Sequence, residues 1–141
     1  MKKSQRQIVY ERAEKYAKEH LKKIDVTVGD YDGGQKCHHV ARHRLETGEH
    51  EILAIALSFV PKSGVNVHFV NRKNSKQEQY VDNTLGYLSK RNIYYLISEH
   101  TLEEIQDDDM VKLLVNIKEK ILSKLFTDKE KKELGINSTH I

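Results

Sequence analysis

The sequence predicts an α+β fold. Stretches at both ends carry apolar residues at helical spacing, and between them lies a series of short segments with strand patterning, one of them apolar on both faces. The chain has 141 residues and 16.4 kDa, which fits one domain, assigned to residues 1–135 with a flexible polar tail at 136–141. No Pro-rich or Ser-rich linker divides it, and the single proline, Pro61, falls in a turn.

The first helix is predicted from Ser4 to Lys23, where Val9, Ala13, Tyr16, Ala17, His20 and Leu21 share a face and Ser4 with Gln7 matches a capping box. Val26 and Val28 alternate as a short strand before the turn Gly29-Asp30-Tyr31-Asp32-Gly33-Gly34. A second helix is expected from Cys37 to about Thr47. No proline or glycine interrupts it, Val40, Ala41, Arg44 and Leu45 cluster on one side, and Gly48 is placed to stop it.

Residues 51–60 put Ile52, Ala54 and Ala56 on one face and Leu53, Ile55, Leu57 and Phe59 on the other, as expected for the centre of a sheet. Pro61-Lys62-Ser63-Gly64 turns the chain into a strand at 65–71, in which His68 points opposite to Val65, Val67 and Phe69. Further strands are expected at 79–82 and 93–98, and together these segments imply an antiparallel meander. The remainder is helical. Thr101 and Glu104 match a capping box, and Met110, Leu113, Leu114, Ile117, Ile121 and Leu125 form a stripe, followed by a short helix from Thr127 to Leu134 with Gly135 as its stop.

Composition excludes several function classes. Lys and Arg number 24 against 21 Asp and Glu, a net charge of +3 on a mixed background, so neither a nucleic-acid nor a membrane partner is expected. With one cysteine, Cys37, no internal disulfide can form. The first residues lack the apolar run of a signal peptide, and the longest apolar run, Ile52 to Val60, falls well short of the roughly 20 residues of a membrane span, so the cytoplasm is the expected location.

The order Cys37, His68, Asp82 carries the functional argument. A cysteine in the first turn of a helix lies where free N–H groups and the helix dipole favour a thiolate, and the same N–H groups can receive an oxyanion. His68, on a strand next to the central one, is placed as a general base across the sheet surface. A hairpin folded about Ser75 sets Asp82 opposite His68, within reach of the imidazole N–H. Each residue also has a plainer role: Cys37 as a small buried hydrophobe, His68 as a satisfied histidine, Asp82 as a turn residue.

The segment Gly34-Gln35-Lys36-Cys37 with the helix after it, Val67-His68-Phe69-Val70-Asn71 and Tyr80-Val81-Asp82-Asn83-Thr84-Leu85-Gly86 resembles the core of the transglutaminase-like, papain-related cysteine enzymes. The resemblance covers roughly Gly33 to Gly86, and the separation of 14 residues between His68 and Asp82 is typical of that superfamily. It implies a Cys37-His68-Asp82 triad that attacks a peptide or side-chain amide, with a protein or peptide as substrate. Phe69 and Tyr80 stand where such enzymes usually carry aromatic residues, often Trp, and Asn83 stands where a proline is common.

The backbone N–H of Cys37 would form half of an oxyanion hole, with Gln35 as a second donor. Tyr31, Phe69 and Tyr80 are candidates to line a substrate cleft. His39 and His43 are four apart on a helix beside Cys37, but no second cysteine or paired carboxylate completes a tetrahedral metal site, so no metal and no cofactor is expected. The other reading of the same residues is a catalytically silent binding or regulatory module that keeps the fold.

Overall fold

The computed structural model describes residues 2–31, 36–105 and 109–141, apart from the side chain of Tyr87. Its elements are α1 (Gln5–His20), β1 (Lys22–Ile24), β2 (Val26–Val28), α2 (Cys37–Glu46), β3 (Ile52–Val60), β4 (Gly64–Arg72), β5 (Tyr80–Asp82), β6 (Ile93–His100), α3 (Met110–Leu125) and α4 (Asp128–Leu134), with short 3₁₀ turns between some of them. The α+β class is as the sequence predicts.

The strands form one six-stranded sheet in the order β1-β6-β3-β4-β5-β2. The doubly apolar β3 sits inside it, antiparallel to both β4 and β6. A pure antiparallel meander is not what forms. Strands β3, β4 and β5 follow one another, but β6 returns to the free side of β3, and β2 joins β5 in parallel, with Val26 beside Tyr80 and Val28 beside Asp82. A central strand needs partners on both edges, and a 3₁₀ helix at Gly86–Arg91 leads the chain from β5 back to the open edge of β3.

The two faces of the sheet differ. Leu53, Ile55, Leu57, Phe59, Val65, Val67 and Phe69 face α1, α2 and α3 and make the main core with Val9, Ala13, Ala17, Ala41, Leu45 and the α3 stripe. On the other face Ala54, Ala56 and Val70 pack with Ile24, Tyr80 and Tyr94. Small residues on β3 leave room there for tyrosine rings from the neighbouring strands.

Element ends account for the remaining differences from the sequence reading. Helix α1 starts at the Ser4 cap, whose hydroxyl accepts the Gln7 N–H, but it ends at His20, and Lys22–Ile24 pairs with β6 so that Ile24 is buried on the second face. The capping box at Thr101 closes only a 3₁₀ turn at Leu102–Glu104. Residues 136–141, expected as a loose tail, are folded onto the domain: Ile136 and Ile141 are buried, and Arg6 donates to the Thr139 carbonyl at 3.1 Å. Two isoleucines in six residues supply apolar surface that a polar tail would lack. No described helix is long and apolar enough to cross a membrane.

Candidate active site

Helix α2 buries Ala41 and Leu45 against the main core, and this docking brings its first residue, Cys37, to β4. Lys36 precedes the helix without a side-chain cap, so the first-turn N–H groups beside Cys37 have no capping oxygen from it. On its β4 side, strand β5 pairs only with Asn71 and Arg72. The stretch of β4 before Asn71 therefore has no β5 partner on that side, and Cys37 lies there, near enough to the Phe69 backbone and to the His38 and His68 side chains for all three to lower its pKa.

His68 belongs to the second face, paired with Ala56, whereas Cys37 packs on the helical face. Their meeting point is therefore the edge of β4 rather than a sheet surface. His68 also does not lie directly opposite Asp82 as the symmetric hairpin predicts. Asn71 faces Val81 and Arg72 faces Tyr80, so the hairpin is centred on Lys76 and Asp82 is shifted by two residues relative to His68. A shift of two keeps both side chains on one face. His68 Nε2 reaches diagonally to Asp82 Oδ2 at 2.7 Å, which leaves Nδ1 for the thiol.

Asp82 is fully buried, and each of its oxygens is used twice. Oδ1 accepts the backbone N–H groups of Thr84 and Leu85 at 3.0 and 2.9 Å, and Oδ2 accepts the Tyr94 hydroxyl at 2.8 Å besides His68. Burial pushes its carboxyl up, but the hydrogen bond and charge of His68, the Leu85 N–H and Tyr94 together bring it below the usual carboxylate range. Tyr94 looks like an ordinary strand residue in the sequence. The signal that marks it is the small Ala54–Ala56 face of β3, across which its ring reaches from β6 to within 6.0 Å of the His68 ring.

Tyr94→Phe deletes one donor to a buried carboxylate. We expect a loss of about 1.5–3 kcal/mol in stability by chemical denaturation, with the α+β circular dichroism unchanged.

The electrostatics favour charge separation at Cys37 and His68. Burial pushes the thiol up, but hydrogen bonds from His38 and His68, the His68 charge and the Phe69 backbone outweigh it, and the pKa falls to about 6. For His68, burial works against the cation, while Asp82 and Cys37 on either side raise the imidazole to about 10. The two groups titrate as one pair, a thiolate beside an imidazolium near neutral pH.

A second polar cluster fastens α2 to the strands. Asn71, fully buried, donates to the carbonyls of Ala41 and Ile52 at 2.9 and 3.3 Å, and its Oδ1 accepts the Asn83 amide at 3.4 Å. Asn83 follows Asp82 directly and also accepts the Asp30 N–H. Gly29 beside it leaves no room for a Cβ, which would stand 2.4 Å from Asn83 Oδ1.

Of the other residues singled out by sequence, Gln35 lies outside the described residues. Phe69 and Tyr80 are not cleft residues: Phe69 is in the main core, and Tyr80 is buried on the second face with its hydroxyl on Glu99 at 3.1 Å and Arg72 over its ring. Inward positions in a packed sheet explain both. Tyr31 is 55 % exposed and bridges to Leu85, close in sequence to Asp82. His39 and His43 line a hollow of about 260 Å³ with Lys36, Val40 and Arg44. Compared with family models, curated proteins and solved structures, the chain finds no match.

Proposed function

We propose that the protein is a thiol-dependent enzyme that hydrolyses, or transfers the acyl group of, a peptide or side-chain amide, as the resemblance to transglutaminase-like enzymes implies. The observation that carries this reading is the chain of contacts from Cys37 to His68 to Asp82, with His68 Nε2 2.7 Å from the Asp82 carboxylate and the half-buried thiol at a helix start. A buried acid that holds one imidazole nitrogen leaves the other to exchange a proton with the nucleophile.

In this mechanism the Cys37 thiolate attacks the amide carbonyl carbon, and its π electrons move to oxygen. Collapse of the tetrahedral adduct breaks the C–N bond, the leaving amine takes the proton of His68, and an acyl thioester remains. Water or an amine then attacks the thioester while His68 accepts its proton. Expulsion of the thiolate restores the starting pair. Asp82 keeps the imidazole oriented throughout, and Tyr94 keeps Asp82 in place.

The test is incubation with an unfolded, glutamine-rich protein and a fluorescent primary amine, followed by mass spectrometry. Amine incorporation marks acyl transfer, a gain of acid at glutamine marks deamidation, and new chain ends mark proteolysis. We expect one of these products with the native chain and none with Cys37→Ala. Equal, background levels in both would contradict enzymatic activity and favour the binding module.

A further inference from the structure

We propose that His50 is a protonation switch, which when neutral holds the clamp between α2 and the strands and when charged releases it. The inference does not depend on the enzymatic reading above. His50 lies just beyond α2, with its backbone N–H on the Arg44 carbonyl at 3.2 Å and its side chain only 11 % exposed. Its Nε2 has two neighbours at almost equal distance, the Asn83 amide nitrogen at 3.4 Å and Glu49 Oε2 at 3.5 Å. The amide nitrogen can only donate and the carboxylate can only accept, so the proton on Nε2 decides which of them it serves.

The surroundings of Asn83 fix the direction. Its Oδ1 accepts the Asp30 N–H, so its Nδ2 is turned to Asn71 Oδ1 and His50 Nε2, and Asn71 in turn donates to the Ala41 carbonyl in the middle of α2. Turning the Asn83 amide over would break its bonds to Asp30 and Asn71, and Gly29, with no room for a Cβ, stands close against Oδ1. Nε2 is then bare and the proton of the neutral ring sits on Nδ1, which is buried without a hydrogen-bond partner among the described residues. A proton added to Nε2 sets N–H against NH₂ and moves the bond to Glu49. Asn83 loses a partner, and the network that holds Ala41, in the helix that begins at Cys37, is loosened.

The charges around His50 place the switch. Burial pushes the imidazole down, Glu49 opposes this, and Arg44 and Lys73 push it further down. Glu51 and Glu103 line the hollow of about 450 Å³ beside the ring, and Asp82, next to Asn83, has its charge held by four donors. His50 is therefore neutral at neutral pH and charges below the ordinary histidine value of about 6.5. Stability falls as pH drops below that value, because the unfolded chain takes up this proton first.

The test is nuclear magnetic resonance of the whole chain, isotope-labelled at the nitrogens of histidine and asparagine, followed from about pH 7.5 downward through the free-histidine value. We expect His50 to carry its proton on Nδ1 at the start, to titrate below about 6.5, and to move the Asn83 side-chain amide signals with the same midpoint. His50→Gln supplies an amide oxygen that accepts from Asn83 at every pH, so this variant should fold and its Asn83 signals should stay still over that range. Glu49→Gln removes the acceptor of the charged state and should lower the His50 midpoint by about half a pH unit. A His50 proton on Nε2 at the start, Asn83 signals that stay still while native His50 titrates, or Asn83 signals that still move in His50→Gln would each overturn the switch.

Discussion

Replacing His68 by alanine is expected to move the midpoint of Cys37 alkylation from about pH 6 up to the ordinary thiol range, about 8.5. The variant loses both the hydrogen bond and the positive charge that offset the burial of the thiol. At pH 6.5 the thiolate population falls by about a hundredfold, and because a more basic thiolate is a better nucleophile, the alkylation rate falls by about tenfold. Turnover depends on more than the thiolate. In the proposed mechanism the leaving amine then has no acid and the attacking water no base, so amide turnover should drop by about 10²–10⁴-fold. Iodoacetamide kinetics across pH 5 to 9, followed by the mass of the intact chain, check the first part. An unchanged midpoint would mean that His68 does not set the state of the thiol.

Asp82 is the position at which substitution should cost most in stability. Asp82→Ala strands the His68 imidazole, the Tyr94 hydroxyl and two backbone N–H groups at a fully buried site, and removing one partner of such a pair costs about 3–5 kcal/mol. Asp82→Asn separates structure from chemistry. Its amide oxygen still accepts from Thr84 and Leu85, but its NH₂ faces His68 Nε2 and forces the ring into the tautomer with the proton on Nδ1. That nitrogen can no longer take a proton, so the proposed activity should fall by about 10³-fold or more while the fold persists. The acid limb of stability carries the same signature. The folded carboxyl lies below its unfolded value of about 3.9, so its contribution is complete above that value and is lost as pH falls through the folded one. Asp82→Asn should flatten that limb, and a limb identical to that of the native chain would locate the acid sensitivity elsewhere.

Much of this arrangement was legible in the sequence for identifiable reasons. Helical spacing, the Ser4 cap and an uninterrupted stretch after Cys37 place that cysteine at the start of α2, and two apolar faces mark β3 as an inner strand. The juxtaposition of His68 and Asp82 follows from strand parity, which survives a register error of two residues but would not survive an error of one. What stayed hidden depends on long-range pairing. No local pattern tells β6 to return to β3 or β2 to join β5 in parallel, since both choices are made by which edges remain open once the hairpins have formed. The role of Tyr94 is hidden for the same reason, because its partner lies beyond two intervening strands. Phe69 and Tyr80, cleft candidates by sequence, are buried in the structure, because aromatic residues serve the core as readily as a cleft.

Cys37 is the only cysteine in the chain, so the ultraviolet absorbance of the thiolate reports on it alone. Titration of the native chain by this absorbance tests most directly whether Cys37 and His68 form a charge-separated pair. A transition centred near pH 6, and displaced to the ordinary thiol range in His68→Ala, is the predicted result. A native transition at or above about 8.5, the value of an unassisted thiol, would contradict the account.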